Sequence, residues 1–151
     1  MKTLQILCLL ALSAFAISCG SNTQEKQQQE EHQVYNQVMA VHDEAMAKMG
    51  ELSQINRQLK NKLTAIDTSQ TEQREEISKM IEKLEYADGG MMTWMAEFEN
   101  LDKLREAKSH EEIMAYLEAE QVKVNQVRDN MTSSMEEGKE LLAKLETTES
   151  N

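Results

Sequence analysis

The sequence predicts an all-α fold, an elongated up-down-up three-helix bundle of coiled-coil character, set behind an export signal and a flexible polar leash. Three observations predict it. The 151-residue chain has no proline and only 5 glycines, so little in it stops a helix once begun. Apolar residues recur at steps of three and four in three successive runs, the period of one helix face. The intervals between the runs are short, and short connections make consecutive helices pack antiparallel.

The first element is the leader. Met1 and Lys2 precede an apolar run over 4–17, the pattern of a secretion signal. That run falls short of the about 20 residues a membrane-spanning helix needs. Ala16-Ile17-Ser18-Cys19 resembles the bacterial lipobox, in which small residues precede a cysteine that is acylated and becomes the new N-terminus. Ala16 stands where that pattern usually has Leu. The expectation is a signal peptide over 1–18 and a covalent lipid on Cys19. The competing reading is an ordinary signal with a chance cysteine. Cys8 would leave with the signal, so Cys19 would have no partner for an intramolecular disulfide. Several acyl chains on one N-terminus hold a protein stably where a single chain does not.

Residues 19–33, with Gln27-Gln28-Gln29-Glu30-Glu31, lack apolar periodicity and read as a leash, helical at most near its end. The first helix spans about 34–66, with a seam of Val34, Val38, Val41, Ala45, Leu52, Ile55, Leu59 and Ile66 and lysines at the skipped places 48 and 62. A second stripe through Tyr35, Met39, His42, Met46 and Met49 implies two neighbouring helices. Asp67-Thr68-Ser69-Gln70 breaks the pattern, and Ser69 with Glu72 has the form of a capping box.

The second helix spans about 70–100 with Ile77, Ile81, Leu84, Met91, Met95 and Phe98 in phase. The phase runs through Asp88-Gly89-Gly90 without slip, which favours one helix over a turn there. Ser109 and Glu112 repeat the capping-box form and open a third helix over 109–147, whose seam includes Ile113, Leu117, Val124, Met131, Leu141 and Leu145. Ser134 and Gly138 take two further seam places, where small residues let a neighbour come close. Residues 148–151 are expected to fray. The helical domain thus occupies 34–147.

The net charge of −11 argues against nucleic acid and against a protein lying flat on anionic lipid, both of which attract basic patches. The membrane contact expected is the lipid anchor alone, with other envelope proteins as partners. No Gly-rich phosphate loop, cysteine-based zinc motif or nucleophile with a histidine base is present, so no catalytic residue is assigned.

Folding the runs back on one another places Met39, His42, Met46 and Met49 level with Met91, Met92, Trp94 and Met95. Thioether and imidazole are ligand types that select Cu(I), and Met39, His42 and Met46 share one helix face. A copper-binding or copper-buffering site is one reading. The other is that methionine fills a flexible core. A chaperone-like protein opening along this seam is a third.

Lys48, Asp88 and Glu120 occupy seam places where apolar residues are expected. They form either a polar layer that fixes register or side chains that reach out to solvent, and a small pocket at Gly89-Gly90 would be the functional version. The stretches Val38-Met39-Ala40-Val41-His42-Asp43-Glu44-Ala45-Met46-Ala47-Lys48-Met49-Gly50-Glu51-Leu52 and Met91-Met92-Thr93-Trp94-Met95-Ala96-Glu97-Phe98, with the lipobox and polar leash, look like small Bacteroidetes-type helical lipoproteins. Some of these carry the label "viral A-type inclusion protein", which reflects coiled-coil similarity. The resemblance implies no activity.

Overall fold

The computed structural model describes residues 18–149, with side chains over 22–147. Residues 1–17 of the signal peptide expected over 1–18, residues 150–151 and the side chain of Cys19 lie outside that description. The described residues form five helices and no strand: α1 Ser18–Met46, α2 Met49–Ala65, α3 Thr71–Glu97, α4 Leu101–Ala107 and α5 His110–Glu149.

Where three helices were expected, the described residues make five, for two local reasons. The first run breaks at Ala47-Lys48, where the Lys48 N–H donates to the Ala45 carbonyl at 2.9 Å in a tighter turn than the α-helix. Lys48 places a charged head at this seam position and Gly50 follows two residues on, so burial and helix propensity are both weakened there. The second run ends at Glu97 rather than near 100, and the seven residues from Leu101 form a helix of their own. Asn100 caps it, its side-chain oxygen accepting the Lys103 N–H at 3.0 Å.

The segment expected as a leash is also corrected. Its backbone is helical from Ser18, and its last turns are packed, with Glu31 only 3% exposed. Glutamine and glutamate carry good helix propensity, so absence of an apolar stripe did not mean absence of a helix. Of the tail expected to fray over 148–151, residues 148 and 149 are helical and 150–151 lie outside the described residues.

The capping boxes divide. At Ser109 the box forms: the Ser109 N–H donates to the Glu112 carboxylate at 2.8 Å and the Glu112 N–H to the Ser109 hydroxyl at 3.4 Å. At Ser69 it does not. The Ser69 hydroxyl and N–H both donate to Asp67 Oδ1, at 2.7 and 2.8 Å, so α3 starts after Gln70 without a side-chain cap. Arg74 compensates across the turn by donating to the carbonyls of Leu63 and Ile66 at the end of α2.

Helix α3 runs unbroken through Gly89-Gly90. Two interior glycines cost about 1 kcal/mol each against alanine. Burial on both sides offsets that, because Leu84, Ala87, Met91 and Trp94 all face the core.

Long-range ties fix the helix directions. Lys60 to Glu85 sets α2 against α3, while Lys144 to Glu76 and Trp94 to Glu120 set α3 against α5 with opposite polarity. Glu31 to His110 and Glu51 to Lys139 run α1 and α2 alongside α5 with the same polarity. The main core lies along α1, α2, α3 and α5 and includes Val38, Leu52, Leu59, Ile77, Leu84, Met131 and Leu145. A second cluster of Leu101, Leu104, Ile113 and Leu117 sits beneath α4, and Phe98 packs against both.

Gly138 is the tightest point of this packing. A Cβ there would lie 2.7 Å from Ile55 Cγ2 and 3.5 Å from Leu84 Cδ1. Gly138→Ala gains about 1 kcal/mol of helix propensity but overpacks a filled core, at a cost of about 1–3 kcal/mol. The expected outcome is a lower melting temperature by circular dichroism. A raised one would mean that Ile55 moves aside freely.

Candidate functional site

The glycine step in α3 opens a groove between α3 and α5. It holds about 550 Å³ and is lined by Tyr86, Gly89, Gly90, Trp94, Lys123 and Val127 among others. A Cβ built on either glycine would meet no atom within 4 Å, so the bare backbone faces open space. Tyr86 stands at the rim and Trp94, 5% exposed, belongs to the core beneath. The pocket considered at the glycines was tied to Lys48, Asp88 and Glu120, and none of those three lines this groove.

Beside the groove lies a buried polar contact. Glu120 is 5% exposed, and it accepts the Trp94 indole N–H at 2.9 Å and the Lys123 ammonium at 2.7 Å. A buried carboxylate is tolerable only with such partners. Hydrogen bonding to Glu120, followed by its charge, raises the Lys123 pKa above the usual lysine value.

Lys48, Asp88 and Glu120, read either as a polar layer or as side chains reaching solvent, do not form one unit. Lys48 turns back to Glu44 at 3.0 Å within its own helix stretch, and Asp88 lines a shallow groove with Asn56 and Arg57 on the α2 side of α3. Glu120 alone is buried, because only it has a donor fixed opposite by the core.

The methionine end is divided between interior and surface. Met91 is fully buried; Met46 and Met49 are partly buried against the same core; Met92 and Met95 are 53% and 40% exposed. Neighbours on a helix differ in direction by about 100°, so Met91 and Met92 face different surroundings. Met39 and His42 are half-buried. His42 contacts Asp43 at 2.9 Å, and its ring lies 5.6 Å from that of Trp94. The expected level of His42 with Trp94 is therefore present. Among the described residues, no group of three or more His, Cys, Asp or Glu is placed to hold a metal ion.

Two features were missed by the sequence reading. The first is a run of rings, with Trp94 on Phe98 at 4.7 Å, Phe98 near Tyr35 at 5.7 Å and near Tyr116 at 6.2 Å. The Tyr116 hydroxyl accepts the Glu99 N–H just past the end of α3, and burial pushes its pKa up. The helical spacing of Trp94 and Phe98 was a visible signal for it.

The second is a clasp around Glu31. Arg105 Nε donates to Glu31 at 2.7 Å, His110 Nδ1 lies 3.0 Å from its other oxygen, and Arg105 also reaches the Gln28 carbonyl. Burial alone would raise the Glu31 pKa. Hydrogen bonds from His110 and Arg105, with their charges, outweigh it and hold the carboxyl below its ordinary 4.5. No sequence signal announced the clasp, since its members lie more than seventy positions apart.

What these features define is an all-helical protein with a lined groove on one face and a charged clasp at one end. Comparison with known proteins returns no match to a family model, to a curated protein or to a solved structure.

Proposed function

We propose that this chain is a lipid-anchored protein of the bacterial cell envelope whose helices form a non-enzymatic module for binding other envelope proteins. In this reading residues 1–18 direct export and Cys19 carries the lipid, with the outer membrane preferred because Gly20 offers no retention signal. The helical arms α1–α2, α3 and α5 act together as an elongated up-down-up bundle. The observation that carries the reading is the position of Cys19, at the end of an export-type run and at the very start of the first helix. No described helix is long and apolar enough to cross a membrane, so attachment would rest on the lipid. The test is metabolic labelling with a radioactive fatty acid. Label should enter the wild-type chain and be absent from Cys19→Ala, which should also leave the membrane fraction. Equal labelling of both would refute the anchor.

A second reading, soft-metal binding, is favoured by one observation: the break between α1 and α2 falls between Met46 and Met49 and leaves both partly exposed. It predicts tight Cu(I) binding that is lost in His42→Ala with Met46→Ala. Titration against a competing Cu(I) chelator decides it.

A further inference from the structure

We propose that residues 22–36 of α1 form a strap latched by Glu31, and that protonating this one carboxyl turns the latch from attractive to repulsive and uncovers the apolar cluster beneath α4. Residues 22–33 carry no apolar side chain, so polar contacts are what hold them to the bundle. Those contacts converge on Glu31, buried between Arg105 and His110, and on the Gln28 carbonyl, to which Arg105 also donates at 3.1 Å. Just beyond the latch, Val34 and Tyr35 pack on Leu101, Leu104, Ile113 and Leu117. The strap therefore closes one side of that cluster.

A single buried carboxylate answers several cationic groups. Arg105 is charged at every pH, His110 meets Glu31 from α5, and Lys108 lines the same small cavity. The neighbouring carboxyls are Glu30, 3.5 Å from His110, and Asp102, 3.9 Å from Arg105, both of them exposed and screened by solvent. Once Glu31 takes a proton, the cations face one another with no buried charge between them. The contact to His32 fails as well. Arginine only donates, so the His32 Nε2 that Arg105 meets at 3.3 Å must be bare. An ordinary imidazole is protonated at any pH that protonates a carboxyl, and the contact then sets two donors against each other. Burial raises the Glu31 pKa, but hydrogen bonds and charge from His110 and Arg105 outweigh it and hold the group below its ordinary 4.5, so the latch stays shut down to that pH and opens beneath it.

Helix α4 is coupled to the strap because seven residues are too few to stay helical alone in water. Burial of Leu101 and Leu104 in the cluster is what fixes it. Withdrawing Val34 and Tyr35 opens one wall of that burial. Latch, strap and α4 thus form one unit, and the main core through Leu84 does not draw on it.

The test is amide exchange of the full chain in detergent at about pH 5.5, above the ordinary carboxyl value and below that of a free imidazole. Glu31→Gln is the neutral isostere of the protonated acid and leaves α4 itself unchanged. Its strap over 28–36 and its α4 over 101–107 should both exchange about tenfold faster than in wild type, the effect of losing a hydrogen bond to a charged group. Leu84 should stay as protected as before, which excludes general unfolding. Salt at about 1 M, where the screening length is about 3 Å, separates repulsion from mere loss of a bond. It should slow the strap in Glu31→Gln and quicken it in wild type. A strap indifferent to Glu31→Gln overturns the proposal, as does an α4 unmoved while the strap quickens, or salt acting in the same direction on both chains.

Discussion

Trp94→Ala is expected to lower the unfolding free energy by about 3–5 kcal/mol, the range for removing a large aromatic from a packed core. Three roles end together. The indole is buried in the main core, it stacks on Phe98 at 4.7 Å, and its N–H is one of two donors to the buried Glu120. Trp94→Phe separates them, since it keeps a ring against Phe98 but withdraws the donor. It should cost about 1–3 kcal/mol, the penalty for leaving a buried acceptor short of a partner. Urea denaturation followed by circular dichroism measures both variants. If Trp94→Phe proves as stable as wild type, Lys123 alone satisfies Glu120 and the indole contact contributes only packing.

The second large effect is local. Arg105→Ala should free the N-terminal part of α1 by removing the closest donor to Glu31, at 2.7 Å, a loss of about 1.5–3 kcal/mol for a hydrogen bond to a charged group. The helices beyond this end do not depend on the clasp. Amide exchange over 22–36 is thus expected to quicken while the amides of Leu84 and Leu117 stay protected.

Acid should act through the same carboxyl. Its pKa is lowered in the folded chain, so its contribution is fully present above the ordinary value of 4.5 and is lost as pH falls through the lower folded value. The groups in contact with it are Arg105 and His110, which in turn meet His32 and Glu30. Exchange of the arm should accordingly accelerate on acidification below about pH 4.5 in the wild type, and much less in Glu31→Gln. An arm whose exchange ignores both Arg105→Ala and acid would mean that Val34 and Tyr35 hold it by apolar contact alone.

Local chemistry was legible wherever one stretch of chain decided the outcome. Most seam residues of α2, α3 and α5 are buried, although Met95 is 40% exposed; the Ser109–Glu112 box forms, and the phase across Gly89-Gly90 correctly gives one helix. The failures share a cause. At Ser69 a closer acceptor, Asp67, took the backbone N–H that the Glu72 carboxylate was expected to accept. Glu31, Arg105 and His110 looked like unrelated polar residues because nothing within a helical turn of any of them pointed to the others.

The sequence by itself determined that the chain is helical, where its apolar stripes lie and that its charge is strongly acidic. These follow from backbone propensity and from spacing along one strand of covalent structure. Only the tertiary structure decided which polar groups are buried in company, that Lys48 and Glu120 go to separate partners, and that the methionines divide between core and surface. Those outcomes depend on which side chain of another helix arrives at a given level and rotation. A shift of one residue turns a side chain by about 100°, and spacing along a single helix does not record where its neighbour stops.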